Sequence, residues 1–319
     1  MSKVMHHIVI LGSFIIVQEV NISQAEKKLN DFTEHKAILE KNQRFIKFLN
    51  PKHQDKSRFC ASTLVFNLYQ HSQNLEELKR KLKHANFCKH RFCAVCQWRQ
   101  SMMLQMETLS RIEQLQGDLK IDALMLTITV TNPQISDLKN TIKHMSKAWQ
   151  KYIRRKFFMK AVVGWVRALE LMGDETQKGY AHPHYHVLLI VRSNYFTGSR
   201  YVKHEEWRKA WEECYGSEGL QVHIQRVKPK KNTLKDPISS ACAEVCKYSV
   251  KATDVDRLDD EDLNLLIKQS KKIRSYTIGG RLKDYEPKIE ELDESQWIFL
   301  KEEYFKWNKF RHDYVQKEK

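Results

Sequence analysis

The stretch Ala181-His182-Pro183-His184-Tyr185-His186, running on into Val187-Leu188-Leu189-Ile190-Val191, constrains this chain more than any other. A short apolar run bounded by polar turns reads as a buried β-strand. Successive side chains on a strand point to opposite faces, so His182, His184 and His186 share one face while Tyr185 and Val187 point toward a core. Imidazoles side by side on a rigid strand can hold a divalent metal and leave other coordination positions open for substrate. The alternation alone also fits three solvated histidines on an edge strand; the apolar continuation argues for burial.

The preceding segment supplies a partner. Val162 to Met172 reads as a strand containing Glu170, and the link Gly173 to Tyr180 is polar and turn-like, so the two strands form an antiparallel hairpin. That pairing sets the Glu170 carboxylate beside His184 and His186, a plausible divalent-metal set. A glutamate in an apolar strand needs a partner, because burying an unpaired charge is costly. A metal would satisfy it, and so would Arg167. Ahead of these, Ile121 to Pro133 alternates Leu126, Ile128 and Val130 with Thr127, Thr129 and Thr131. It reads as a strand ended by Asn132-Pro133, its hydroxyl face either lining a polar cleft or reflecting threonine's β-propensity.

A second chemical cluster is Cys88-x4-Cys93-x2-Cys96. Thiolates at such spacing can wrap one tetrahedral zinc, the alternative being free, half-buried cysteines, and a structural site needs a fourth ligand. Cys60 is the natural candidate, with His84 and His90 as alternatives. Lys89, Arg91, Arg99 and Arg80 make the knuckle basic and able to meet a phosphate backbone. Seven cysteines, three of them within nine residues, fit a reduced compartment and a metal site better than a disulfide framework.

Charge narrows the partner. Lys and Arg number 55 against 39 Asp and Glu, a formal net charge of +16, which favours a polyanion and above all nucleic acid. No apolar run reaches the roughly 18 residues of a membrane span, so no membrane partner is expected. His7 to Val17 is apolar but short, and reads as a buried strand or an N-terminal extension.

The remaining segments read as packing elements with one exception. Residues 24 to 50, capped by Ser23, 97 to 116, 136 to 160 and 205 to 215 are helical by periodicity, with Met102, Met103, Met106, Leu109 and Ile112 forming a core stripe. Lys228 to Lys235 is a basic loop. The exception is Ile238 to Lys251, a helix capped by Asp236 with Pro237 at its first position. At about 100° per residue, Glu244, Tyr248 and Lys251 share one side, facing either a cleft or, as an i, i+4 glutamate–tyrosine contact, solvent, and Cys242, Cys246, Val245 and Val250 face the core. Tyr276 to Lys283 reads as a turn with two glycines, and the aromatic tail from Pro287 as a docking helix.

These elements, in this order, resemble the rolling-circle plasmid replication initiators, a branch of the HUH endonuclease superfamily. The text that carries the resemblance is ANFCKHRFCAVCQWR at 85–99, LMLTITVTN at 124–132, GWVRALEL at 164–171, HPHYHVLLIV at 182–191, AEVCKYSVK at 243–251 and GGRLK at 279–283, so it covers residues 58 to 285. Ala94 departs from the proline usual between the knuckle cysteines. The resemblance implies an α+β fold, with a central antiparallel sheet flanked by helices and a small zinc-knuckle module. It implies site- and strand-specific nicking of a plasmid double-strand origin in the bacterial cytoplasm. By position, His184 and His186 match the metal ligands, with Glu170 as third, for Mn2+ or Mg2+; Tyr248 matches the nucleophile, with Lys251 a candidate activator. Glu244 resembles the carboxylate that activates water at termination in a subset of the family. Implied partners are origin DNA with a hairpin or single-stranded nick site, a host helicase and a host polymerase, with a homodimer left open. The expected organisation is an N-terminal helical extension (1–57), a zinc-binding knuckle and helix (58–105), an endonuclease core (106–255) and a C-terminal helical region (256–319). The competing classes are a non-enzymatic zinc-dependent DNA-binding regulator, which leaves the histidine strand idle, and an HUH relaxase or transposase, against which the knuckle argues.

Overall fold

The computed structural model describes residues 4–11, 14–21, 24–173, 176–228, 236–247, 250, 252–288, 293 and 295–318. In chain order the elements begin with β1 (Val4–Leu11), β2 (Phe14–Asn21), α1 (Gln24–Lys41), α2 (Pro51–Arg58), β3 (Thr63–His71), β4 (Leu78–Ala85) and α3 (Ala94–Asp118). They continue with β5 (Ile121–Thr129), α4 (Leu138–Tyr152), α5 (Lys156–Ala161), β6 (Val162–Glu170), β7 (His184–Arg192), α6 (His204–Tyr215) and β8 (Val222–Arg226). Last come α7 (Pro237–Val245), α8 (Ala252–Arg257), α9 (Asp260–Gln269), β9 (Tyr276–Gly280), β10 (Trp297–Asn308) and β11 (Asp313–Lys317). The class is α+β, as expected, with every described strand pair antiparallel.

The chain divides into two compact units, Met1–Val95 with Glu290–Lys319, and Cys96–Ile289. The first unit holds a four-stranded sheet in the order β11-β10-β3-β4 and, as a separate sheet, the β1-β2 hairpin. One face of the four-stranded sheet packs under α1: Leu64, Phe66 and Phe305 are buried, and Phe32 of α1 meets Phe66 edge-on at 5.8 Å. Into this layer reaches Glu303, 4% exposed, held by Arg80 at 2.6 Å.

The tail therefore differs from the expected docking helix. Glu303, Phe305 and Trp307 are buried at every second position, a period of two that only a strand satisfies. A charged residue among those positions hides the alternation until its partner Arg80 is seen. Arg80, read from the sequence as a phosphate contact, instead spends its guanidinium on Glu303 and the Ala25 carbonyl. The N-terminal segment likewise opens with two strands rather than helix alone, and the proposed cap Ser23 lies outside the described residues.

The second unit is built on a five-stranded sheet ordered β8-β5-β7-β6-β9, so the histidine strand β7 lies in the middle. On one face Trp149, Tyr152, Trp207 and Trp211 are fully buried, layered with Tyr185 and Trp165 through edge-to-face contacts. On the other face Val166, Ala168, Leu188 and Ile190 pack against Ala241, Cys242, Val245 and Cys246 of α7, and against Ile112 and Leu115 of α3. The α3 stripe is core only in its second half: Met102, Met103 and Met106 are 44%, 50% and 50% exposed.

Two glycines seal one edge. The expected turn at 276–283 is instead strand β9 paired to β6, followed by a 3-10 turn. A Cβ on Gly279 would stand 2.2 Å from the Trp165 ring, and at Gly280, where φ is +63°, a Cβ would stand 2.4 Å from the Val163 carbonyl oxygen. Only a residue without a side chain allows that approach.

Candidate metal centre

Strand register brings the site together. Glu170 stands directly opposite His184 in the β6–β7 ladder, and Ala168 opposite His186. Opposed residues point to the same face. Glu170, His184 and His186 therefore share the face that α7 covers further along the strands. Glu170 Oε2 lies 3.4 Å from His184 Nε2, Glu170 Oε1 3.5 Å from His186 Nε2, and the two Nε2 atoms are 3.1 Å apart. The ligand atoms of the three residues lie within 4.8 Å of one another. Their side chains are 12%, 8% and 23% exposed for Glu170, His184 and His186, so the cluster is sheltered but reachable.

The other ring nitrogen of each histidine is already bonded, and for His184 it fixes the tautomer. His184 Nδ1 is 2.8 Å from the His182 carbonyl, which accepts, so Nδ1 carries the proton and Nε2 a lone pair. His186 Nδ1 is 3.1 Å from Thr127 Oγ1, a residue that the β5–β7 register places opposite it. Outer hydrogen bonds of this kind hold ligating imidazoles in place. The hydroxyl face of β5 is thus used at Thr127, which the alternation signalled as polar without revealing its partner.

His182 is not gathered into the triad. Its Nδ1 meets Asn132 Oδ1 at 2.7 Å, and its ring lies against that of His184 at 4.9 Å. Burial and the His184 imidazole depress its pKa, with Glu170 acting in the opposite sense. Arg167 is not the partner of Glu170. It lies on the opposite face of β6, buried, its guanidinium 4.2 Å from the Tyr185 ring centre and 5.4 Å from that of Trp149. Burial lowers its pKa.

The helix expected to carry the nucleophile is shorter than its periodicity suggests. α7 is capped as expected, with Asp236 accepting from the Ser239 N–H and Pro237 at the first position, but it ends at Val245. The Lys247 N–H reaches back only to the Glu244 carbonyl at 3.4 Å, and Val250 is buried, 1% exposed, as its expected core-facing position requires. Cys242, Val245 and Cys246 face the core as expected. Glu244 is 46% exposed and pairs with Lys247 Nζ at 2.5 Å. Tyr248, Lys251 and the loop 229–235 lie outside the described residues.

Four cysteines form the second cluster. Cys60, Cys88, Cys93 and Cys96 bring their sulfurs within 4.8 Å of one another, the first three buried. Cys93 Sγ is 3.5 Å from Cys60 Sγ, close to the ~3.8 Å edge of a tetrahedron with metal–sulfur bonds of about 2.3 Å. The Cys88 N–H points at Cys60 Sγ at 3.3 Å, and Lys89 adopts a φ of +58° as the chain turns around the cluster. Of the alternatives to Cys60, His84 is exposed and the His90 ring stacks on Phe45 at 5.3 Å. Beneath the cluster Lys36, 1% exposed, donates to the Cys60 carbonyl at 2.8 Å and lies 3.5 Å from Glu40. Burial pulls its pKa down, and Glu40 with the Cys60 and Cys93 sulfurs pulls it back.

Among the described residues no helix is long and apolar enough to cross a membrane. No solved structure matches the chain. A family profile for replication proteins matches residues 79–317. A "Protein rep" of Staphylococcus aureus is 32% identical over 229 residues, covering 71% of this chain and 94% of its own. One from a Bacillus species is 32% identical over 230 residues, 68% of this chain and 73% of its own. The "Protein rep" of Bacillus amyloliquefaciens is 31% identical over 276 residues, 81% and 79% of the two chains. With three quarters of its length inside that profile and relatives at this identity, the chain belongs to the family of Rep replication proteins, the plasmid replication initiators.

Proposed function

We propose that this Rep protein nicks one strand of its plasmid origin by the HUH endonuclease route, with a divalent metal held by His184, His186 and Glu170. The observation that carries the reading is the convergence of two imidazole Nε2 atoms and a carboxylate on adjacent strands, each ring anchored through its Nδ1. That donor set suits a divalent cation with open positions, and Mn2+ or Mg2+ would supply charge neutralisation at a scissile phosphate. The four cysteine sulfurs fit a closed structural Zn2+ site, which would stabilise the fold without taking part in the chemistry.

The protein's own part is nucleophile and proton management. The Tyr248 phenol oxygen attacks phosphorus as the bond from phosphorus to the 3′ oxygen breaks, leaving a 5′-phosphotyrosine and a free 3′-OH for a host polymerase. A phenol of pKa about 10 is mostly protonated at neutral pH, and Lys251 is the candidate to stabilise the phenolate. At termination Glu244 takes a proton from water, so that the last cleavage is hydrolytic. Its exposure and its salt bridge to the flexible Lys247 side chain leave it accessible for that step.

The test is incubation with a single-stranded origin oligonucleotide and Mn2+, followed by a denaturing gel. The wild type is expected to form a covalent adduct and Tyr248→Phe none, while Glu244→Ala still nicks but accumulates the adduct. A persistent adduct in Tyr248→Phe would remove Tyr248 from the role, and cleavage by His184→Ala at wild-type rate would remove the metal triad.

A further inference from the structure

The open face of the first unit's four-stranded sheet has a composition that the cleavage reading does not use. Register places Lys79 and Phe299 on either side of Tyr69, Lys81 opposite Asn67, and Trp297 opposite His71. Opposed residues share a face. Tyr69, His71, Trp297 and Phe299 therefore form an aromatic strip across β3 and β10, flanked by Lys79 and Lys81 from β4. The opposite face is the one sealed under α1 through Phe66 and Phe305.

The strip is accessible: Phe299 is 51% exposed, Lys81 is exposed, and Tyr69 and Trp297 are half-buried. Its rings are held rather than loose. Phe299 meets Tyr69 edge-on at 5.8 Å, His71 meets Trp297 at 5.2 Å, and Lys79 Nζ lies 5.2 Å above the Trp297 ring. Glu302, a carboxylate on this face, is already engaged by Lys83 Nζ and by the Tyr304 hydroxyl. The β4 sequence LKRKLKHA contains no acidic residue, so the strip's border is cationic.

We infer that this face is a stacking platform for single-stranded DNA, the bases lying on Phe299, Tyr69 and Trp297 and the phosphates running along Lys79 and Lys81. Charge complementarity chooses the occupant, since a border of lysines favours a polyanion. The rings then choose single strand over duplex, because only unpaired bases offer their faces for stacking. The platform stands apart from the cleavage reading, since it needs neither the metal triad nor Tyr248. It would hold the unpaired strand at an extruded origin, or the strand displaced after nicking.

The experiment is fluorescence anisotropy of the full chain with a labelled oligothymidylate and with a duplex of equal length, across a salt series. Phe299→Leu keeps the apolar bulk and removes the ring, and is expected to weaken single-strand binding about 5- to 150-fold, the range for losing one stacked base. Phe299→Trp is expected to retain it. Lys79→Gln with Lys81→Gln is expected to flatten the dependence of log affinity on log salt by about 1.4, two phosphate contacts at ~0.7 each. The oligothymidylate carries no origin sequence and is titrated without added divalent metal, so a failure of the cleavage reading leaves this result legible. Circular dichroism and bound metal check that each variant is folded. Unchanged single-strand affinity in the Phe299→Leu and lysine variants would overturn the inference. So would an equal loss for duplex and single strand, or a change only in self-association by sedimentation, which would assign the face to a protein contact.

Discussion

Replacing Thr127 by Val tests how the triad is held without touching a ligand. The substitution keeps the β-branched shape that suits a strand and deletes only the hydroxyl 3.1 Å from His186 Nδ1. His184 offers no equivalent handle, because its Nδ1 is bonded to a main-chain carbonyl. A neutral hydrogen bond is worth about 0.5–1.5 kcal/mol net, at most about tenfold in an equilibrium constant. Losing the partner that orients a ligating imidazole costs more, on the order of 10- to 100-fold in metal affinity, because the ring is then free to rotate or change tautomer. Thr127→Val is therefore expected to weaken Mn2+ binding by about 10- to 100-fold, measured by titration calorimetry or by competition with a chelator. Thr127 is half-buried in the sheet, so the thermal midpoint should move little. Raising Mn2+ should restore nicking. An unchanged Mn2+ affinity would refute the argument that Thr127 positions His186; a loss of nicking that saturating Mn2+ does not repair would show that the hydroxyl acts elsewhere.

Three further outcomes follow from the packing. Cys93→Ser is expected to abolish tightly bound zinc, measured by atomic emission, and to unfold the region around the cluster; a folded, metal-free protein would refute the structural site. Glu303→Ala strands the Arg80 guanidinium in a largely apolar layer and should cost about 3–5 kcal/mol in denaturant unfolding, far more than the ~0–1 kcal/mol of a surface pair. Gly279→Ala forces a methyl against the Trp165 ring and should cost about 1–3 kcal/mol, with a change in tryptophan fluorescence; a neutral result would mean that β9 moves freely against β6.

Much of the second unit was legible in one dimension. The alternation in β5, the apolar runs of β6 and β7 and the polar link between them suggest the hairpin, and the ladder then sets Glu170 opposite His184. The cysteine spacing likewise announced a tetrahedral cluster, and Cys60, far away in sequence, completes it. The α7 cap and its buried cysteine face were also readable, since capping and helical periodicity are local.

The sequence by itself thus determined the residue types of both clusters, the local hairpin that assembles the triad, and membership of the Rep family. Tertiary structure alone decided which charges are internal. Arg167 lies on aromatic rings behind the histidines, Lys36 beneath the cysteines, and Glu303 with Arg80 inside a sheet joined by strands more than 200 positions apart. It also decided that the tail is sheet, because β10 needs β3 as a template, and that α7 ends at Val245. The physical reason is common to all of these: period and spacing report what a segment does with its own backbone, whereas partner strands and buried counter-charges are long-range contacts that no local pattern encodes.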